Sequence, residues 1–265
     1  MNNDMKSFID QIKSMPAMPN IIVKALNVIK DDRSGVNDLV QLISCDQALT
    51  TQVLKIVNSA YYGFAQQITS MSKALPLLGM AQIKNLILAV AMKSMITTKG
   101  GKDLWKHSIK TAVACEVLAG KLQLMDSGDA FVIGFLHDIG KMIINLKNNK
   151  TYTKVQELTA KGINIIEAEK FLLGCDHSDV GALLAKKWEL PVVLINCVKY
   201  HHAPQNSSMK NVSYFVYAAD RLVQDNVGSD ILDPAIWNSS PIDIGDPQEM
   251  RDLVLSKAES LIVEL

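Results

Sequence analysis

The chain has 265 residues, 48% of them hydrophobic and 6% aromatic, enough apolar material for one large core or two modest ones. Lys+Arg and Asp+Glu number 27 each, so the net charge is zero. No basic surplus points to nucleic acid or an anionic membrane, and neither is expected as a partner.

In chain order, the first residues, MNNDMKSFIDQIK, are polar and lack the apolar core of a signal peptide, so a cytoplasmic protein is expected. Pro16 and Pro19 precede a helix over Ile21–Ile29, where apolar residues recur with helical period. Asp31 to Gly35 reads as a turn. Val36–Leu49 and Gln52–Val57 are helical, and Gly63 is expected to close a helix after Tyr61 and Tyr62. Ile83–Met95 is a further helix. Its most apolar run, Asn85 to Met92, lies between Lys84 and Lys93 and falls far short of the roughly 20 residues of a membrane span. Lys99–Lys102, with two glycines, is the plainest linker, and it is the expected boundary between an N-terminal unit, 1–98, and a second unit, 103–265. One continuous bundle with a loop at 99–102 is the alternative.

Asp103–Leu124 is helical, a helix runs up to Pro204, and SYFVYAADRLV is another. Asp230–Asp246, rich in Asp, Pro, Asn and Ser, reads as a long surface loop, and Pro247–Leu265 as a closing helix. Alternating apolar–polar runs are absent, so the fold class is all-α. The four cysteines, Cys45, Cys115, Cys175 and Cys197, form no CxxC pair. That argues against a zinc ribbon or thioredoxin-like site and for reduced, mostly buried thiols.

All five histidines fall after the linker. His107 lies in the first helix of the second unit, and His137 is followed at once by Asp138 in FLHDIGKMI. His177 stands just before a helix, His201 and His202 are adjacent ahead of Pro204, and Asp220 sits in an otherwise apolar helix. Singly, each has an ordinary reading as a core histidine, a cap or an exposed acid. Together they carry more. Asp138 and Asp220 are set in apolar helices, where an unpaired carboxylate costs several kcal/mol. Imidazole and carboxylate are also the ligands of zinc, iron, manganese and nickel, and helix bundles hold such ions on side chains from several helices.

His107, the His137–Asp138 pair and Asp220 resemble, in order and spacing, the H…HD…D pattern of the HD superfamily of metal-dependent phosphohydrolases, and HDIGK, with Lys141, is similar to its typical form. His177 and the His201–His202 pair resemble the ligands with which the HD-GYP branch holds a second metal. The Glu and Gly-Tyr-Pro that follow the paired histidines in that branch are missing from HHAPQNSSMKN, which speaks against cyclic di-GMP hydrolysis. MPAMPNIIVKAL, the NSAYYG segment from Asn58 to Gly63, and LLGMAQIKNLIL resemble the HDOD family, a signalling-associated relative, from about Ile9 to Leu222.

The resemblance implies an HD-superfamily helical bundle with an N-terminal HDOD subdomain and a regulatory role in bacteria. It implies one or two divalent transition-metal ions (Fe, Mn, Zn or Ni), held by His107, His137, Asp138 and Asp220 on one side and by His177, His201 and His202 on the other, with Asp138 between. Asp103, one turn before His107, is a further candidate ligand. Asp138 and Lys141 are the candidate catalytic residues, Lys141 meeting phosphate as a point charge or else being a solvated helix-end lysine. Three functions stay open: a signalling module with a protein partner, a metal-dependent phosphohydrolase acting on a phosphate-containing small molecule, and an interaction protein with an empty site. Tyr61, Tyr62 and Phe64 either pack against the second unit or form an aromatic edge for a partner or ligand.

Overall fold

The computed structural model describes residues 47–59, 62–93, 100–225 and 231–264. Among these there is no strand, and helices follow one another through short turns, as the periodicity requires. The elements expected at Pro16–Gly35, most of Val36–Leu49, Cys45, Tyr61, and Met95 lie outside the described residues.

Helix α1 (Gln47–Val57) buries Leu49, Val53, Ile56 and Val57, one apolar stripe at helical spacing. It ends before the NSAYYG segment, not at Gly63. The loop that follows is pinned by Asn58, whose side-chain amide donates to the Leu54 and Ile68 carbonyls (2.8 Å each) and whose oxygen accepts the Ile68 N–H at 2.6 Å. Gly63 closes the turn from a positive φ of 61°. Tyr62 and Phe64 stack with centroids 6.3 Å apart and lie against the core, so these two rings pack inward. Asn58→Ala removes three hydrogen bonds at a partly solvated site, and a loss of about 1–2 kcal/mol is expected in urea unfolding at unchanged m-value. A loss below about 0.3 kcal/mol would show that the loop is held by other contacts.

Helix α2 (Met71–Lys93) starts twelve residues earlier than the expected Ile83, because Met71, Ala74 and Leu75 already form an apolar face. It is two helical stretches joined at Gly79, whose φ of 78° and ψ of 165° lie outside any helix. The last residues of the expected linker are already helical. Gly100, at φ 82°, caps helix α3 (Gly101–Leu122), so Gly101 and Lys102 belong to its first turn.

Helix α4 (Ser127–Leu136), capped by Asp126 accepting the Gly128 N–H at 2.8 Å, is buried on nearly every side and packs against α2 and α3. The chain continues through α5 (Ile139–Lys147), α6 (Asn149–Ala160), α7 (Ile165–Leu173), α8 (His177–Lys187), α9 (Val192–Tyr200) and α10 (Lys210–Val223). One apolar core runs from Leu49 to Leu261. Cys115, Cys175 and Cys197 are buried free thiols within it.

Two close approaches set the positions that matter below. A Cβ on Gly134 would lie 2.6 Å from the Thr111 carbonyl oxygen, so α4 presses directly on α3. A Cβ on Gly140 would lie 1.9 Å from the His177 carbonyl oxygen, so the start of α5 presses on the start of α8. Each glycine is there because a methyl group has no room.

The segment expected as a long surface loop is in part packed. Leu232 and Ile244 are buried, and a short helix α11 (Pro234–Trp237), capped by Asp233, lies across α10. The Tyr217 hydroxyl accepts the Asp233 N–H at 3.0 Å, and Arg221 donates to the Ile231 carbonyl at 2.8 Å. Its Asp, Pro and Asn residues are caps and turns around a few apolar anchors, which composition alone does not separate from a loop. Helix α12 (Pro247–Glu264) closes the fold against α3 and α10, as expected.

Candidate metal centre

Six helices, or their ends, deliver the candidate side chains to one place. His107 comes from the middle of α3. His137 ends α4 and Asp138, at φ −101° and ψ 19°, turns the chain into α5. His177 is the first residue of α8, whose entrance is fixed by reciprocal hydrogen bonds between Asp176 and Asp179 (2.9 and 3.3 Å). His201 caps α9, His202 follows it, and a 3₁₀ turn (Pro204–Asn206) leads the chain away. Asp220 lies on the buried face of α10.

Asp138 stands at the centre. Its Oδ2 lies 3.5 Å from His107 Nε2 and 3.3 Å from His137 Nε2, while Oδ1 lies 3.3 Å from both His177 Nε2 and His201 Nε2. Asp220 Oδ1 is 3.0 Å from His107 Nε2 and 3.6 Å from His137 Nε2. His177 Nε2 is 3.2 Å from His201 Nε2 and 2.9 Å from His202 Nε2. Two sets could each hold an ion, His107–His137–Asp138 and Asp138–His177–His201–His202, with the donor atoms of each within 4.8 Å of one another. All seven expected side chains are thus brought together. Asp103 is exposed and joins neither set.

The rings are oriented for ligation. A carbonyl or carboxylate oxygen can only accept, so the Nδ1 atoms carry protons in His137 (to Gly134 O, 2.7 Å), His201 (to Val198 O, 2.8 Å) and His177 (to Glu169 Oε2, 2.6 Å). Each Nε2 is thereby turned toward the centre. The Nε2 atoms of His107 and His137 and the Oδ1 atoms of Asp138 and Asp220 are buried and have no hydrogen-bond partner of good geometry among the described residues. His107 Nε2, His137 Nε2 and Asp220 Oδ1 face one spot and Asp138 Oδ1 faces the other set, and buried polar atoms left so are costly unless cationic charge lies among them. The residues fit a metal ion, and they fit two because the Asp138 oxygens face opposite sets.

The electrostatics agree. Burial would neutralise His137, but Asp138 and Asp220 outweigh it and hold its pKa at about 10. Burial acts the same way on His107 and His177, yet both are raised, the first by Asp138 and Asp220 and the second by Glu169 and Asp138. Burial, followed by neighbouring charge, keeps His201 and His202 below the usual imidazole range, ready as neutral ligands. Burial also opposes ionisation of Asp138 and Asp220, but His137 and Lys141 around the first, and His107 and His137 around the second, hold both carboxyls well below their ordinary value. A metal ion bound here would displace protons from imidazoles that hold them on account of the two aspartates.

Lys141 is not a solvated lysine. Its Nζ lies 2.6 Å from Asp138 Oδ2 with the side chain 11% exposed, and despite burial its ammonium form is strongly favoured by Asp138. His107, whose side chain is 23% exposed, and His202 are the partly exposed members of the cluster. His107 also lines a cleft of about 550 Å³, together with Asp103, Lys106, Lys110, Val223, Gln224 and Asp225.

Two contributors are invisible to motif reading. Gln224 donates to Asp220 Oδ2 at 2.9 Å, and Glu169, fully buried on α7, accepts from both the backbone N–H (2.8 Å) and Nδ1 of His177. The one signal for Glu169 is its place on the apolar face of α7, between Ile165 and Leu173.

A family model for the HDOD domain matches residues 15–204. The chain is 28% identical over 202 residues to an uncharacterized protein of Treponema pallidum strain Nichols, covering 74% of this chain and 39% of that protein. It is 29% identical over 139 residues to the uncharacterized protein YuxH of Bacillus subtilis strain 168, covering 51% and 33%. The chain thus spans well under half the length of these curated relatives. Among solved structures, an HDOD domain protein of unknown function from Geobacter sulfurreducens superposes with a TM-score of 0.78 at 24% identity, over 99% of this chain and 94% of that one. A candidate phosphohydrolase from Shewanella amazonensis SB2B gives 0.79 at 22% identity, over 97% of each chain.

Proposed function

The chain belongs to the HDOD domain family, and on that footing we propose that it is a bacterial signal-transduction module whose second half is ordered by one or two divalent transition-metal ions, Fe, Mn, Zn or Ni. The observation that carries this is the convergence of the His177, His201 and His202 Nε2 atoms on Asp138 Oδ1, opposite His107 and His137 on Oδ2. His177 and His201, each donating from Nδ1, turn two Nε2 lone pairs to within 3.2 Å of each other, which is unfavourable unless a proton or a metal cation lies between them. His107, His137, Asp138 and Asp220 hold one ion, and His177, His201 and His202 with Asp138 hold the other. The unit 1–98 is the surface for a signalling protein partner, in the cytoplasm. Among the described residues no helix is long and apolar enough to cross a membrane. Cross-linking of the full chain in cells tests the surface: cross-links to the partner fall within 1–98, and cross-links confined to 103–265 contradict the assignment.

A second reading, a phosphohydrolase acting on a phosphodiester or nucleotide, is favoured by the shared Asp138 and the cleft at His107. Paired ions would supply a nucleophile at neutral pH and neutralise phosphate charge. In that reaction Asp138 holds both halves of the site in register, and Lys141 keeps a permanent positive charge beside them to meet a phosphate oxygen. The structural likeness to a candidate phosphohydrolase agrees with the fold such an activity uses.

Metal analysis of the full chain purified without chelator, followed by assay of the same preparation on a generic phosphodiester, separates the readings. The module reading expects one or two ions per chain and little turnover. Metal-dependent turnover of about 1 per second or more establishes the phosphohydrolase. A preparation that takes up no ion leaves a pure interaction protein.

A further inference from the structure

Glu169 is a third carboxylate at the centre, and it touches no candidate ion position. It is fully buried on α7, and among the described residues its ion-pair partner is His177, 2.6 Å from Oε2 to Nδ1. The same oxygen accepts the His177 backbone N–H at 2.8 Å, which fixes the first residue of α8 as well as its ring. Among the described residues Oε1 has no hydrogen-bond partner. A buried carboxylate of this kind costs several kcal/mol unless positive charge reaches it.

The two halves of the centre are unequal in charge. The His107–His137 half has Asp220 as its own carboxylate and shares Asp138. The His177–His201–His202 half has three imidazoles and only the shared Asp138. Of its rings, His201 donates from Nδ1 to a neutral backbone carbonyl, whereas His177 donates to a carboxylate. A carboxylate behind an imidazole makes Nε2 a stronger donor and fixes both tautomer and ring orientation.

We propose that Glu169 is the positioning residue of the second ion site, supplying through His177 the negative charge which that half otherwise lacks. This rests on the reading of the cluster as a metal centre. Removing the charge at 169 weakens the second ion and leaves the first in place. Asp220→Asn, by contrast, weakens the first.

The test is equilibrium dialysis of the full chain against zinc, comparing wild type with the isosteric Glu169→Gln. Two zinc ions per wild-type chain and one per Glu169→Gln chain, or a second-ion affinity lowered ten- to a hundredfold, is the expected result. In a His177→Gln background, Glu169→Gln should add no further loss, since Glu169 acts through that ring. Equal stoichiometry and affinity in wild type and Glu169→Gln overturn the proposal while leaving the metal centre intact. A wild-type chain that binds no zinc overturns the metal centre itself, and the proposal with it. A measurement on wild type alone covers the case in which Glu169→Gln does not fold. With five histidines in the chain, ¹⁵N-histidine spectra of the zinc-loaded protein resolve each ring, His177 being the one absent from His177→Gln. His177 protonated on Nδ1 supports the proposal, and His177 protonated on Nε2 refutes it.

Discussion

Asp138→Ala is expected to empty the centre and to lower the melting temperature of the chain even in chelator. Two separate losses add. The carboxylate lies within 3.5 Å of four imidazole Nε2 atoms, so without it neither half keeps a complete ligand set. Ion binding stabilises the folded state by mass action, about 4 kcal/mol at a thousandfold excess over the dissociation constant, and that contribution goes. Independently of any ion, Lys141 loses the oxygen 2.6 Å from its Nζ and becomes a largely buried ammonium without its counter-charge. Breaking one side of such a pair costs about 3–5 kcal/mol. Lys141→Ala, which removes no ligand, should retain clearly more metal. Equal metal content and equal melting temperature in wild type and Asp138→Ala would contradict the central role given to this residue.

Gly140→Ala should be among the most damaging single-methyl additions in the protein. The new Cβ would fall 1.9 Å from the His177 carbonyl oxygen and 2.9 Å from the Gly181 nitrogen, both backbone atoms that no rotamer change can move. The start of α5 must lift off the start of α8, at a cost of about 3 kcal/mol or more. That displacement also carries Asp138 away from His177, so metal content should fall together with stability. Gly120 is the control, since nothing lies within 4 Å of a Cβ built there on the exposed side of α3. Gly120→Ala is expected to stabilise by about 0.5–1 kcal/mol through helix propensity. Calorimetric melting of the two variants checks both signs. Melting temperatures for Gly140→Ala and Gly120→Ala within a degree of each other would mean that the α5–α8 contact does not govern the fold.

How much of this is legible in the sequence depends on the kind of signal. Helices α3 and α12 follow from the sequence nearly as read, Asp138 and Asp220 stand out as carboxylates in apolar helices, and the full set of seven candidate ligands follows only from the resemblance to the HD pattern. Composition misleads where polar residues serve as caps. Asp233 reads as loop but caps a short helix, and Gly101 and Lys102 read as linker but form the first turn of α3. Gly140 looks like an ordinary turn glycine after an HD pair. Its reason lies in α8, which begins 37 positions further along the chain, at His177. Glu169 and Glu167 are both acids in one short helix, and only tertiary packing buries the first and exposes the second. Likewise Lys141 reads equally well as a solvated lysine, until α5 is seen to lay it back onto Asp138. Local periodicity thus carries the elements, and the family pattern the candidate ligand types. What holds the ligands in place comes from contacts between helices distant in sequence.

The most direct measurement is an anomalous difference map from crystals of the full chain grown with a transition-metal ion and recorded at its absorption edge. A peak among His107, His137, Asp138 and Asp220, with or without a second among His177, His201 and His202, is the predicted result. Ion in the crystal with no peak beside Asp138 would contradict the metal centre.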